Sequence, residues 1–126
     1  MALQVELVSP ERILYSGEAE MVVARTAEGD IAFLTGHSPF IGALGIGAVS
    51  IRGTDGTEAR AAVHGGFVEV SGDRVTILSD VAELADDIDA ARARRALEEA
   101  ERAAREDDAE AEAALRRARL RVELAS

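Results

Sequence analysis

The sequence predicts an all-β sandwich or flattened barrel of about nine or ten antiparallel strands, followed by a C-terminal antiparallel two-helix hairpin. Two observations support this fold class. Throughout residues 1–84, short apolar runs alternate with polar residues and are separated by glycine, proline or acidic turn signals. Residues 88–126 instead carry apolar residues at helical spacing. The chain therefore divides into an N-terminal β-sandwich (1–84) and a C-terminal helical hairpin (88–126).

The first half of the sandwich begins with the clearest strand pattern. Leu3, Val5 and Leu7 alternate with polar residues, and Pro10 ends this strand because proline has no N–H to donate to a ladder. Glycines punctuate the later apolar run and indicate bulges or close backbone approach. Further short strands are predicted over residues 13–15, 19–25, 31–34, 40–46 and 48–52.

The second half of the sandwich is predicted to contain two hairpins. An Asp-Gly tip at residues 55–56 suits positive φ and reverses the first one. The turn over residues 71–73 reverses the second. The first hairpin joins residues 48–52 and 58–63, and the second joins residues 67–70 and 74–78. Residues 81–84 then lead into the helices.

Two apolar stripes predict the helical hairpin. Between them, the polar segment 106–108 is short enough to make the helices antiparallel neighbours. Because alanine offers only one methyl group for burial, such a hairpin is weakly held at any one point and suited to moving. The alternative is a stable helical hairpin on a larger body. The stripes are Ala93, Leu97, Ala100 and Ala104, then Ala111, Leu115, Ala118 and Val122.

Composition excludes several classes of function. The formal net charge of −10 argues against binding of nucleic acid, which needs clustered cations. Without cysteine there is neither a disulfide framework nor a thiolate metal site. No apolar run is long enough to span a membrane, and the N-terminus lacks the pattern of a signal peptide, so a cytosolic, soluble protein is expected.

A basic cluster stands out against this acidic background. The helix dipole accounts for basic residues in a last helical turn, but four arginines within six positions exceed that need. The cluster therefore favours an acidic partner surface. Its members are Arg116, Arg117, Arg119 and Arg121.

Catalytic and metal-binding patterns are weak. The histidines are His37 and His64, in different segments, and no nucleophile or metal-ligand spacing accompanies them. At the start of the first helix, Asp87 or Asp89 is the predicted N-cap. Arg92 shares a helical face with Asp89, which suits a structural ion pair or a small polar ligand site. No catalytic residue and no metal site are predicted.

Several segments taken together carry a family resemblance. They are VSP at 8–10, YSGE at 15–18, GDIAFLTGHSP at 29–39, GGFVEV at 65–70, VTILSD at 75–80 and the Ile-Asp pair at 88–89. In this order and spacing, ahead of an alanine-rich hairpin, they make the chain resemble the epsilon subunit of the bacterial F-type ATP synthase. The resemblance covers essentially the whole length.

The resemblance implies a non-catalytic rotor subunit of the central stalk. Such a subunit couples proton flow through the c ring to ATP synthesis, and its mobile C-terminal helices inhibit ATP hydrolysis. The implied partners are the gamma subunit, the c ring and the alpha and beta subunits, with no nucleic acid and no direct membrane insertion. The implied location is peripheral, on the cytoplasmic face of the bacterial cell membrane. No cofactor is required, and ATP is a possible regulatory ligand.

The resemblance also assigns residues to partners. Asp30 and His37 match the segment that faces the c ring, and the arginine cluster matches the region that meets the beta subunit. An ATP-binding motif is matched by residues 88–93 (IDAARA), although Leu115 occupies one position where ATP-binding members have an arginine. The implied ATP-binding residues are Ile88, Asp89, Arg92, Ala93 and Arg119. A free-standing ATP-sensing or small-ligand binding module, based on Asp89 and Arg92, is the alternative function.

Overall fold

A computed structural model describes residues 2–26, 28–103 and 109–125 of the chain. The strands are β1 (Leu3–Val8), β2 (Ile13–Thr26), β3 (Gly29–Leu34), β4 (Phe40–Gly53), β5 (Glu58–Ser71), β6 (Arg74–Leu78) and β7 (Ala82–Leu84). A short 3-10 helix (Ala85–Asp87) leads to two α-helices, α1 (Ala90–Ala103) and α2 (Ala109–Ala125).

The seven strands form one sheet that closes on itself. Hydrogen-bonded neighbours follow the order β1-β6-β5-β4-β2-β3, and β7 pairs with β5. Because β1 also pairs with β2, the path returns to its start and makes a flattened barrel. All pairs are antiparallel except β1 and β6, which run parallel. The fold class predicted from the sequence is confirmed.

The hydrophobic core fills the interior of the flattened barrel. In β1 the predicted alternation is confirmed, since Leu3, Val5 and Leu7 are buried and the residues between them are not. Phe33 is the largest of the fully buried side chains. It is surrounded by a core of mostly branched aliphatic residues that includes Val22, Val49, Ile51, Val63, Val68 and Ile77.

Three strands are longer than the sequence pattern indicates. β2, β4 and β5 each contain 14 residues, and each passes through a position interpreted as an interruption. β2, for example, pairs with β1 through its first half and with β3 and β4 through its second half. Register shifts between Ala19 and Met21 mark where it bends. The described residues therefore contain fewer strands than predicted, because segments predicted as two separate strands form one continuous strand.

The glycine pair before Phe67 is a bend within β5. Gly65 and Gly66 have φ values of 92° and 128°, which L side chains rarely adopt. A side chain at Gly66 would also overlap the carbonyl of Leu78 on β6. Glycine permits both features, so β5 exchanges its neighbour β7 for β6 without leaving the sheet.

The first helix begins with a side-chain cap. The backbone N–H of Arg92 donates to Oδ1 of Asp89 at 3.1 Å, and α1 starts at the next residue after this aspartate. Of the two predicted N-caps, Asp89 is therefore confirmed. Asp87 instead accepts a hydrogen bond from the guanidinium of Arg12 at 3.2 Å.

The two helices pack on each other, but α2 has a second apolar side. Ala93 and Ala118 of the predicted stripes are buried, and the stripe residues Leu97 and Leu115 are half-buried. Ala104 and the predicted turn at 106–108 lie outside the described residues. On the other side of α2, Leu120 and Leu124 are buried although neither belongs to the predicted stripe. This second side faces the sandwich.

Candidate functional site

The helical hairpin is docked on one face of the barrel through α2. Leu120 and Leu124 pack over Ala62 of β5, which is fully buried. Half-buried residues complete this cluster, namely Ile46, Ala48, Ala85 and Ile88. α1 packs mainly on α2. The hairpin is therefore attached to the sandwich chiefly through one side of one helix.

Few large side chains hold the hairpin in place. Its buried residues are Ala93 on α1 and Ala118, Leu120 and Leu124 on α2. Burying a leucine contributes roughly 1.5–3 kcal/mol, whereas one methyl group contributes about 0.8 kcal/mol. Of the buried residues on the two helices, the two leucines therefore contribute more to docking than the alanines do. A hairpin held by so small a contact favours the interpretation of a mobile element over that of a rigid appendage.

A polar network crosses the same interface. The guanidinium Nε of Arg121 on α2 donates to Oε1 of Glu83 on β7 at 2.6 Å. The same oxygen lies 3.3 Å from Nε2 of His64 on β5. The side chain of His64 is only 2 % exposed, whereas those of Arg121 and Glu83 are 29 % and 34 % exposed. Glu83 thus links the docked helix to a buried imidazole.

His64 is held in its neutral form. Burial lowers its pKa below the ordinary value of 6.5, and the positive charges of Arg121 and Arg117 lower it further. The hydrogen bond and charge of Glu83 act in the opposite direction but do not outweigh these effects. Nδ1 of the ring is buried and has no hydrogen-bond partner among the described residues, so a second proton there would lack an acceptor.

The arginine cluster divides into two pairs. Arg121 binds Glu83, and Arg117 donates to Oε1 of Glu110 at 2.8 Å within α2. Arg116 and Arg119 are more exposed and line a cleft of about 450 Å³ between α2 and the sheet. In the docked hairpin, only this second pair is freely presented to the cleft and to solvent.

The cleft has a mixed polar and apolar lining and carries charges of both signs. Arg25 and Asp30 form an ion pair at 3.1 Å on its sheet side, and Glu123 faces them from α2. Its floor is formed by small residues of β4, including Gly47 and Ala48. None of residues 88–93 lines this cleft.

The proposed ATP-binding residues make separate contacts in the docked hairpin. Ile88 packs in the apolar cluster with Leu120, and Ala93 is 4 % exposed. The carboxylate of Asp89 is engaged as a helix cap. Arg92 is exposed, and Arg119 lies in the cleft described above. This docked arrangement does not gather the five residues around one cavity.

The residues assigned to the c ring occupy opposite ends of β3. Asp30 lies near its start, beside Arg25. His37 follows its end, where the imidazole packs on Phe33 and Phe40 at centroid distances of 4.9 and 6.3 Å. A strand rises about 3.3 Å per residue, so the length of β3 separates the two side chains.

An exposed apolar patch lies away from the hairpin. Phe67 and Leu78 are directly opposite each other on β5 and β6 and are 58 % and 52 % exposed. Ile41 on β4 is 71 % exposed, and the register places it on the same face. Apolar side chains grouped in this way mark surfaces that bind other proteins. We call Ile41, Phe67 and Leu78 the apolar patch.

The sequence pattern predicted the arginine cluster but not the buried network or the apolar patch. A histidine two residues after the apolar Ala62 on a strand shares its face, and this spacing was the available signal for His64. In the part of the chain that the structure describes, no group of three His, Asp or Glu residues could hold a metal ion. None of the described helices has the length and hydropathy needed to cross a bilayer.

Comparisons with known proteins identify relatives for both parts of the chain. The family model of the ATP synthase delta/epsilon chain β-sandwich domain matches residues 2–85. The ATP synthase epsilon chain of Streptomyces avermitilis is 50% identical over 124 residues, which are 98% of this chain and 95% of the relative. The epsilon chain of Thermobifida fusca is also 50% identical, over 98% of this chain and 91% of its own length. That of Moorella thermoacetica is 43% identical, with shares of 98% and 96%.

A solved structure shows the same fold. A chain in the OSCP/F1/c-ring structure of Euglena gracilis mitochondrial ATP synthase matches with a TM-score of 0.85 and 24% identity. The match covers 98% of this chain and 81% of that chain. It therefore includes the helical hairpin as well as the barrel.

Proposed function

Because this chain belongs to the family of ATP synthase epsilon chains, we propose that it is a rotor subunit in the central stalk of a bacterial F-type ATP synthase. In this role it couples proton flow through the c ring to ATP synthesis and does no chemistry itself. The observation that carries the proposal is 50% identity over 98% of the chain, which spans both the sandwich and the hairpin. The subunit acts peripherally, on the cytoplasmic face of the membrane.

We propose that the hairpin regulates ATP hydrolysis by leaving the sandwich. The small docking contact supports this role, because Leu120 and Leu124 are the only leucines among the buried residues described on the two helices. Undocking breaks the ion pair between Arg121 and Glu83. The freed arginine then joins Arg116 and Arg119 as a basic surface for an acidic segment of the beta subunit. The docked hairpin is the permissive state, and the released hairpin inhibits.

The sandwich provides the attachment to the rest of the rotor. We assign the apolar patch to the gamma subunit, because exposed apolar side chains on one face suit a lasting protein contact. Asp30 and His37 are the proposed contacts with the c ring. Because they lie at opposite ends of β3, each would meet a different part of that surface.

Deletion of residues 88–126 tests the regulatory role. We expect the truncated chain to assemble with an epsilon-depleted ATP synthase and to inhibit ATP hydrolysis less than the full chain does. Steady-state hydrolysis by the reconstituted complex is the measurement, and co-purification reports assembly. Inhibition equal to that of the full chain would contradict regulation by the hairpin. Loss of assembly would contradict attachment through the sandwich.

Binding of ATP as a regulatory ligand is a separate proposal. Of the five assigned residues, Arg92 and Arg119 have exposed side chains that could meet phosphates, whereas Asp89 caps α1 and Ile88 is packed. Binding would therefore require a rearranged hairpin. Calorimetric titration with Mg-ATP tests this, and we expect Arg92→Ala to abolish the heat of binding.

The matched control for that titration is Arg94→Ala, which removes an exposed arginine of the same helix outside residues 88–93. It should bind as the native chain does. If the native chain gives no heat at millimolar ATP, the proposed ATP site is wrong. The regulatory role of the hairpin would then depend on its protein partners alone.

A further inference from the structure

His64 lies under the docked hairpin and takes part in none of the contacts proposed above with partner subunits or ATP. It follows Ala62 by two residues on β5, so both side chains point to the face that α2 covers. Its neighbour across the ladder is Ile46 of β4, which also packs against the α2 leucines. The imidazole is 2 % exposed in this position.

The hydrogen bonding of this imidazole suits the neutral ring. With its hydrogen on Nε2, the ring donates to Glu83 at 3.3 Å. A second proton would have to sit on Nδ1, which is buried and has no partner among the residues described. A buried N–H without an acceptor is costly, so the docked structure selects against the imidazolium form.

The charges around His64 come mainly from the helix. Arg121 and Arg117 face it from α2, and Glu83 faces it from β7. When the hairpin leaves, both arginines leave with it and water reaches the ring. Glu83 stays on β7 and can then pair with the imidazolium without competition from Arg121. Each of these changes favours the protonated ring in the undocked state.

We propose that His64 makes docking of the hairpin sensitive to protons, so that acidification releases the helices from the sandwich. The proposal rests on the mobile hairpin of the proposed function and adds the signal that moves it. Docking lowers the pKa of His64 below its ordinary value of 6.5. Its contribution to docking is therefore complete above that pH and is lost as pH falls through the lowered pKa.

The distance between two spin labels in the full-length, isolated protein measures docking directly. The chain has no cysteine, so Thr54→Cys in the β4–β5 turn and Glu112→Cys on α2 can be labelled selectively. Both positions are exposed. Between about pH 8 and about pH 5, we expect the ratio of docked to undocked molecules to fall, by up to about tenfold per pH unit where one proton is fully linked.

Two variants test whether the pH dependence of docking comes from the imidazole of His64. His64→Gln keeps a polar side chain but cannot titrate, so its docked fraction should stay constant over the same pH range. His37→Gln removes the other histidine of the chain and should keep the pH dependence of the native protein. A constant docked fraction in the native protein, or an unchanged dependence in His64→Gln, would overturn the proposal.

A second measurement covers the case in which His64→Gln does not dock. NMR titration of the ring protons of His64 should give a pKa below the ordinary value in the native chain. Leu120→Ala, which weakens docking, should raise that pKa. An identical pKa in both proteins would refute the link. Neither measurement needs the ATP synthase, so failure here leaves the hydrolysis test of the proposed function unaffected.

Discussion

At the scale of single residues, Leu120 has the largest expected effect on the position of the hairpin. It is buried against Ala62, whereas its neighbour Arg119 is exposed. We expect Leu120→Ala to destabilise docking by about 2–3 kcal/mol, because it removes buried apolar surface and leaves space at the interface. Hydrogen exchange should show faster exchange of α2 amides and unchanged protection in the barrel strands.

Glu112→Ala is the matched control for this substitution, since Glu112 is exposed on the same helix. It should leave exchange in α2 unchanged. Equal protection of α2 in the native protein and in Leu120→Ala would mean that docking does not depend on this contact. The two-leucine account of the interface would then be wrong.

Some residue contacts could be predicted from the sequence and others could not. Asp89 was identifiable as a cap because its bond to Arg92 is local. The bonds of Glu83 to His64 and Arg121 join residues 19 and 38 positions apart, and no local pattern encodes such pairings. Leu120 was missed because an alanine stripe on the other side of α2 gave an equally regular helical spacing.

At the scale of elements, the bend in β5 depends on Gly66. Its φ of 128° and its closeness to the backbone of β6 both exclude a side chain. We therefore expect Gly66→Ala to destabilise the barrel by more than about 3 kcal/mol, since the backbone of Leu78 cannot move aside without breaking the ladder. Urea denaturation of the full chain measures this loss.

Gly72→Ala provides the comparison within the same hairpin. Gly72 also has a positive φ, 61°, but nothing lies within 4 Å of an added methyl group. Its substitution should cost only about 1 kcal/mol. If both variants lose the same free energy of unfolding, conformation alone matters and the crowding at β6 is unimportant.

Glycines within the long strands explain why the number of strands was overestimated. A glycine after a short apolar run is equally compatible with a turn and with a bend inside a strand. Gly17, Gly47 and Gly65 all lie within 14-residue strands that continue past them. Only the pairing with neighbouring strands distinguishes the two cases, and pairing is a property of the folded sheet.

At the scale of the whole molecule, the barrel presents the hairpin and the apolar patch as separate surfaces. Fold class and the order of the two parts followed from hydrophobic periodicity, which strands such as β1 and β6 obey. The sequence did not decide between a sandwich and a closed barrel, because closure requires the pairing of β1 with β6. The apolar patch was equally hidden, since it combines residues of three strands.

Substitution in the apolar patch tests the assignment of partners to surfaces. Phe67→Ser should leave the fold intact, because the side chain is 58 % exposed, and should weaken co-purification with the gamma subunit. Leu34→Ser is the control, as Leu34 is 52 % exposed on β3 and lies outside the patch. Undiminished binding by Phe67→Ser would show that the gamma subunit binds a surface other than the apolar patch.

The parallel pairing of β1 with β6 has a consequence for biosynthesis. Gln4 lies beside Arg74 in this ladder, so the barrel cannot close until nearly all of the sandwich has left the ribosome. Such distant pairings raise contact order and slow folding. During translation, the edge of β1 that pairs with β6 remains unpaired and is open to aggregation or to a chaperone. The contacts between α1 and α2 are local, so the two helices can pair without such a delay once they have been synthesised.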